Sequence, residues 1–190
     1  MRSLSDQAIL LAQQGDLPAA RALFQYILDQ RVAMFGADDP SIATDLANLG
    51  NVVAEQHDLI VARALLERAV TLREQQRGRD DPEVAIDLGN LALVLDEMGE
   101  LSMARKAYER ALEVQVRAYG DEHPAVALAL TNLASLLRRE GQLEQARQTL
   151  ERANRIFADH VAAGNPARQA AHAALRSLPP SEPAAMGDSL

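Results

Sequence analysis

The side chains that could act as metal ligands, nucleophiles or proton carriers are few and dispersed. The 190-residue chain has no cysteine, which excludes thiolate metal sites and cysteine nucleophiles. Four histidines occur without the spacing of metal ligands: His57, His123, His160 and His172. Asp96 and Glu97 are adjacent, so on a helix they point in different directions and form no acid–base pair. With no phosphate loop or nucleophile elbow either, we expect no metal, no cofactor and no enzymatic activity.

Asparagines at a constant interval form the most regular polar pattern. Asn48, Asn90 and Asn132 are 42 residues apart. An amide has both donors and an acceptor, so such a column can hold the main chain of an extended peptide. In the alternative interpretation, each amide bonds within its own helical unit or is simply inherited by duplication. The residues alone leave both interpretations open.

The same 42-residue interval organises most of the chain. Segments that end in proline recur at 36–40, 78–82 and 120–124, and leucine and alanine positions keep step with them without gaps. The most regular apolar series are Leu46, Leu88 and Leu130; Leu49, Leu91 and Leu133; Ala62, Ala104 and Ala146; and Ala69, Ala111 and Ala153. A fixed period of this length is the signature of a repeat architecture.

Each 42-residue unit has the apolar spacing of two helices. Leu88, Leu91 and Leu95 follow the spacing of one helical face, and a second such run follows a break at Gly99. At the other connection, glycine fits the end of a helix, and Asp-Pro fits the cap and first turn of the next. The pattern predicts helices at about 3–14, 16–35, 40–56, 59–77, 82–98, 101–119, 124–140, 143–160 and 166–177.

These positions resemble the tetratricopeptide repeat. The third unit shows the pattern with Leu130, Leu133, Ala134, Gly141 and Ala146, and the resemblance covers about residues 1–160. The usual period is about 34 residues. The longer unit, with its Asp-Pro or His-Pro start and its Asn-Leu pair, is similar to the kinesin light chain type of repeat.

The resemblance implies an all-α, right-handed α-solenoid of antiparallel helix pairs. We expect repeats at about 1–39, 40–81, 82–123 and 124–160, and a capping helix at 166–177. Small residues where the two helices of a pair meet, such as Gly50, Ala92 and Ala134, should allow close backbone approach. The proline-rich segment 178–190 has little apolar content and is predicted to be a disordered tail.

Charge and hydropathy limit the partners. The formal net charge is -8 and the pI about 5.0, which disfavours nucleic acid and anionic membranes. No apolar run reaches the roughly 18 residues of a membrane span, so we expect a cytoplasmic protein. Three Arg–Glu pairs at i, i+4 on the second helices are expected to be solvated: Arg63–Glu67, Arg105–Glu109 and Arg147–Glu151.

By the same resemblance, the concave wall lined by the first helices is the candidate site, and its expected ligand is a protein or peptide. The residues expected to bind it are Asn48, Asn51, Ile86, Asn90, Leu93, Leu128, Asn132, Ser135 and Arg139. The asparagines would hold the main chain, and the apolar members would provide selectivity, although those could instead pack between helices. A second hypothesis is a structural protein that forms homo-oligomers through this groove and an exposed end of the array.

Overall fold

The computed structural model describes residues 3–180, which form nine α-helices and no strand. A 3-10 turn at Pro40–Ile42 leads into α3. The helices are α1 (Leu4–Gln13), α2 (Leu17–Phe35), α3 (Ala43–Glu55), α4 (Leu59–Arg77), α5 (Pro82–Glu97), α6 (Leu101–Tyr119), α7 (Pro124–Arg139), α8 (Leu143–His160) and α9 (Pro166–Arg176). These bounds lie within three residues of those predicted from the sequence. In this part of the chain, no helix combines the length and apolar character needed to cross a membrane.

Glycine, aspartate and proline set the long connections as their types predict. The backbone of Gly78, which ends α4, has a φ of 89°, a conformation that favours glycine. The carboxylate of Asp81 accepts a hydrogen bond from the Glu83 amide at 2.9 Å, and Pro82 begins α5. His123 takes the same capping role before α7, because its Nδ1 accepts from the Ala125 amide at 3.2 Å.

The chain divides into two compact units, one ending at Ala118 and the other beginning at Tyr119. In the first unit, α1 packs on α2 and α3 packs on α4, while α2–α3 and α4–α5 contacts join neighbouring repeats. In the second unit, α7 packs on α8, and α9 packs on both. Leucine, valine and alanine side chains form the core of each unit.

Close approach between α3 and α4 depends on Gly50. A Cβ at this position would lie 2.9 Å from Cγ of the buried Leu66. Such a distance is well inside van der Waals contact, so a larger residue would require the two helices to shift. The expected packing role of this small residue is therefore visible in the structure.

Arginines on the second helices hydrogen-bond to the loops that precede their helix pairs. Guanidinium groups one repeat apart donate to loop carbonyls, joining Arg68 to Ala37, Arg110 to Arg79 and Arg152 to Asp121. Arg152 also pairs with the Asp121 carboxylate at 2.6 Å. These bonds satisfy carbonyls of the connections, where no helix supplies a partner. This series was not predicted from the sequence, although the three arginines keep the 42-residue interval.

The Arg–Glu pairs of the second helices are not simply solvated, because their arginines also bond to other groups. Arg63 forms the expected pair with Glu67 at 2.7 Å, but it also donates to Glu100 of the next helix pair at 2.8 Å. Its equivalent in α2, Arg21, likewise bonds to Gln56 at 3.0 Å.

The other two pairs differ from one another. Arg105 and Glu109 approach to 3.9 Å, whereas Arg147 lies 4.0 Å from Glu144 and donates to the carbonyl of Pro179. The interpretation of a merely solvated face was therefore incomplete.

The sequence-based prediction placed the start of the disordered tail too early in the chain. Leu178, placed by the sequence at the start of a disordered segment, is only 7% exposed and packs with Ala134, Leu137, Ala146 and Leu150. It stands 42 residues after the buried Leu136, so it retains an apolar position of the repeat. The following prolines obscured this signal. The remainder of the predicted tail, 181–190, lies outside the described residues.

Candidate functional site

Two neighbouring pockets of the first unit share Asn48 and Asn51 of α3. One, which we call the Phe24 pocket, has a volume of about 350 Å³ and is lined by Ile9, Ala12, Gln13, Phe24, Asn48, Asn51, Val52 and Glu55. The other, the Arg73 pocket, measures about 290 Å³ and is lined by Thr44, Ala47, Asn48, Asn51, Arg73, Glu83, Ile86, Asp87 and Asn90. The structure thus brings four of the predicted site residues together in this unit: Asn48, Asn51, Ile86 and Asn90.

The amide side chains of these pockets have no partner within the described chain. Asn48, Asn51 and Asn90 are half-buried, and no group of residues 3–180 hydrogen-bonds to their side chains. In contrast, Asn154 of the second unit donates to the carbonyls of Leu150 and Ala171. Half-buried amides without an internal partner can hydrogen-bond to a ligand.

Two predicted apolar residues on α5 are exposed. Ile86 is 57% and Leu93 45% accessible, whereas the leucines of the opposite face of the same helix, Leu88 and Leu95, are buried. Packing between helices therefore does not account for Ile86 and Leu93. Ile86 lines the Arg73 pocket, while Leu93 is not among the residues that line either pocket.

A buried ion pair forms one wall of the Arg73 pocket. Arg73 and Asp87 are only 6% and 3% exposed, and Nε of the arginine donates to the carboxylate at 2.6 Å. The guanidinium also bonds to Glu83 at 2.8 Å and to the Thr44 hydroxyl at 3.3 Å. Burial raises the pKa of Asp87, and the hydrogen bond and charge of Arg73 oppose that shift. The positive charge of Arg73 is therefore already neutralised by the carboxylates of Asp87 and Glu83.

The preceding repeat has a looser version of this pair. Arg31 and Asp45 occupy equivalent positions, and their side chains approach to 3.3 Å without hydrogen-bond geometry. The Asp45 carboxyl is buried, which raises its pKa, and the Arg31 charge partly offsets this effect.

The second unit has its own first-helix face on α7. Leu128 and Ser135 are exposed there, and Asn132 is half-buried. The Ser135 hydroxyl donates to the carbonyl of Thr131 at 3.2 Å, one turn earlier. Arg139, also exposed, lies at the end of the helix.

The polar side chains of the Phe24 and Arg73 pockets are mainly amides and paired charges. Within residues 3–180, no group of three or more His, Cys, Asp or Glu side chains is placed to hold a metal ion. The carboxylates of the Arg73 pocket are engaged by arginine, and its remaining polar groups are amides and the Thr44 hydroxyl. The Phe24 pocket has amides and the single carboxylate of Glu55. This arrangement is suited to hydrogen bonding and apolar contact.

Comparison with known families places the chain among helical repeat proteins. The family model of the tetratricopeptide repeat matches residues 1–75, 46–115 and 88–159. The chain therefore belongs to the tetratricopeptide repeat family, whose members are generally protein-interaction scaffolds and typically lack enzymatic activity. No curated protein matches the chain.

Solved structures agree with the expected repeat type. Nearly identical TPR-like repeats of a kinesin light chain type protein from Podosopora anserina superpose with a TM-score of 0.77 at 22% identity, over 92% of this chain and 82% of that one. BtubC (BKLC) from P. vanneervenii gives a TM-score of 0.75 at 22% identity, over 91% and 76% of the two chains. The predicted all-α solenoid of kinesin light chain-like repeats is confirmed.

Proposed function

We propose that the chain is a scaffold module that binds an extended peptide segment of a partner protein along its first-helix faces. In the first unit the segment occupies the Phe24 and Arg73 pockets, with Asn48, Asn51 and Asn90 bonding to its main chain. Ile86 and Leu93 contact its side chains. In the second unit we propose a binding face of its own on α7, formed by Leu128, Asn132, Ser135 and Arg139.

The observation that carries this proposal is the group of half-buried asparagines without an internal partner. Asparagine is less favourable than alanine in a helix by several tenths of a kcal/mol, so these residues do not serve helix stability. An extended peptide presents a carbonyl and an amide at every residue, and a side-chain amide can bond to both. Apolar groups beside the asparagines add contact area without replacing those hydrogen bonds.

Binding can be tested with a displayed library of random 12-residue peptides, followed by calorimetry on the enriched sequences. Replacing Asn48, Asn90 and Asn132 together by alanine should weaken binding at least about tenfold while helicity and thermal midpoint are preserved. The matched control removes three amides from exposed positions of second helices: Gln25, Gln76 and Gln145. A folded asparagine variant that binds as tightly as the control contradicts the proposed role of the amides.

Self-association, the alternative function, gains little support from the last helix. Helix α9 keeps apolar residues, such as Ala171 and Leu175, on the side that packs on the preceding pair. His172 and Arg176 are exposed at positions where α7 has the buried Leu130 and Ala134. Polar terminal surfaces are typical of the capping elements of repeat arrays. Light scattering should show a monomer whose mass is independent of concentration.

A further inference from the structure

The charges around the Phe24 pocket define the kind of peptide that fits it. Glu55 lines this pocket, is exposed and forms no ion pair within residues 3–180. Glu97, its equivalent one repeat later on α5, is likewise exposed and unpaired in the described chain. The two arginines at equivalent positions of this unit are both paired with carboxylates: Arg73 with Asp87 and Glu83, and Arg31 with Asp45. The available charge on this side of the first unit is therefore negative.

The other lining residues define an apolar subsite. Ile9, Ala12, Phe24 and Val52 give the Phe24 pocket an apolar surface, and its volume of about 350 Å³ accepts one large side chain. Ile9 is 42% exposed, so a ligand can cover apolar area that now faces water. An apolar anchor in this pocket would place adjacent peptide residues beside Glu55, because side chains two residues apart in an extended chain are separated by about 7 Å.

We infer that the first unit selects basic peptides, with a large apolar side chain in the Phe24 pocket and a lysine or arginine beside it that pairs with Glu55. This inference rests on the proposed peptide-binding function and specifies its ligand class. The net charge of -8 acts in the same direction, since it attracts basic segments and repels acidic ones.

The test starts from the same random peptide library. Enriched sequences should combine a large apolar residue with Lys or Arg one or two positions away, and their affinity should fall as NaCl is raised. Glu55→Lys should weaken the best synthetic peptide about tenfold. Its control is Glu122→Lys, the same charge change at an exposed residue of the second unit, for which less than about a twofold effect is expected.

A second pair of variants tests the apolar subsite without disturbing the core. Ile9→Ser should weaken the same peptide about tenfold, because it removes exposed lining of the Phe24 pocket. Leu4→Ser changes a residue of the same helix that is 47% exposed and does not line the pocket, so the affinity should be unchanged.

The outcomes separate this inference from the function on which it rests. A library that yields no binder contradicts both. Peptides that need the asparagines but are acidic, or that bind Glu55→Lys and Ile9→Ser as well as their controls, overturn the inference and leave the general function standing. Basic peptides lost with both variants support it.

Discussion

Two arginine–aspartate pairs at equivalent positions of successive repeats differ in their surroundings. Arg73 and Asp87 are sealed from water and joined by a 2.6 Å hydrogen bond, with Glu83 and Thr44 as further partners. The equivalent Arg31 has a side chain that is 42% exposed and meets Asp45 without hydrogen-bond geometry. Identical residue types at identical intervals can therefore form either a buried network or a loose pair. The neighbouring residues determine whether the network or the loose pair forms.

The largest expected difference between the two pairs comes from removing the aspartate. Asp87→Ala should lower the free energy of unfolding by about 3 kcal/mol, because the buried Arg73 keeps its charge and loses its main acceptor. Asp45→Ala should cost less than about 1 kcal/mol, because Arg31 can be hydrated. Urea unfolding followed by circular dichroism measures both. Equal losses would mean that the difference in burial has no energetic consequence.

A double variant tests whether the buried Arg73–Asp87 pair itself stabilises the fold. In the alternative, stability is lost only when one partner is removed and the other stays buried. Gln115 and Ala129 stand one repeat after Arg73 and Asp87, so the chain already contains an uncharged combination at these positions. Arg73→Gln with Asp87→Ala should recover most of the loss, to within about 1 kcal/mol of the parent. A double variant no more stable than Asp87→Ala would show that the pair itself stabilises the fold.

Glycines on first helices of the same unit provide a second contrast. Gly50→Val should lower the unfolding free energy by about 2 kcal/mol, because its side chain would collide with Leu66. Gly89 has an ordinary helical backbone and open space where a Cβ would lie, so Gly89→Ala should raise stability by about 0.5–1 kcal/mol. Thermal unfolding of the two variants should shift in opposite directions. A shift in the same direction would contradict the assigned contact with Leu66.

The turns within helix pairs allow a smaller test. His57 has a φ of 62° where Gly99 and Gly141 have 80° and 78°. Because a left-handed backbone is strained for a residue with a Cβ, His57→Gly should raise stability by up to about 1 kcal/mol. The reverse change, Gly99→His, should lower it by a similar amount. A destabilised His57→Gly variant would indicate that the imidazole makes a stabilising contact.

The smallest expected effect is a difference in pH dependence between two aspartates. Burial raises the pKa of Asp45 above 3.8, so its contribution to stability is fully present below that value and is lost as pH rises through the raised pKa. Hydrogen bonding by Ser41 lowers the pKa of Asp39, so its contribution is present above 3.8 and is lost as pH falls. The stability gap between the parent and Asp45→Asn should shrink with rising pH. The gap to Asp39→Asn should grow, and parallel profiles would contradict these assignments.

The repeat interval was sufficient to predict the helices because each unit reuses the same local signals. Gly78, Asp81 and Pro82 act at a helix boundary through their own backbone preferences, so their effect needs no tertiary information. The buried state of Arg73 depends on three residues from other segments. Neither hydropathy nor charge spacing distinguishes it from Arg31.

The candidate site was predictable in part for the same reason. The interval identified Asn48 and Asn90 as one series, but it could not show that their amides lack an internal partner. The contribution of Ile9 and Phe24 also escaped the prediction, because both precede the repeats on which the pattern was clearest. A pocket formed by different helices becomes visible only when those helices are packed.

The most direct test of the central claim is the side-chain amide spectrum of the asparagines. On addition of an enriched peptide, the 1H–15N signals of the Asn48, Asn51 and Asn90 side chains should shift. The Asn154 side chain, which is bonded within the second unit, should remain in place. Shifts confined to residues outside the Phe24 and Arg73 pockets, with the three asparagines unchanged, would contradict the proposed peptide site.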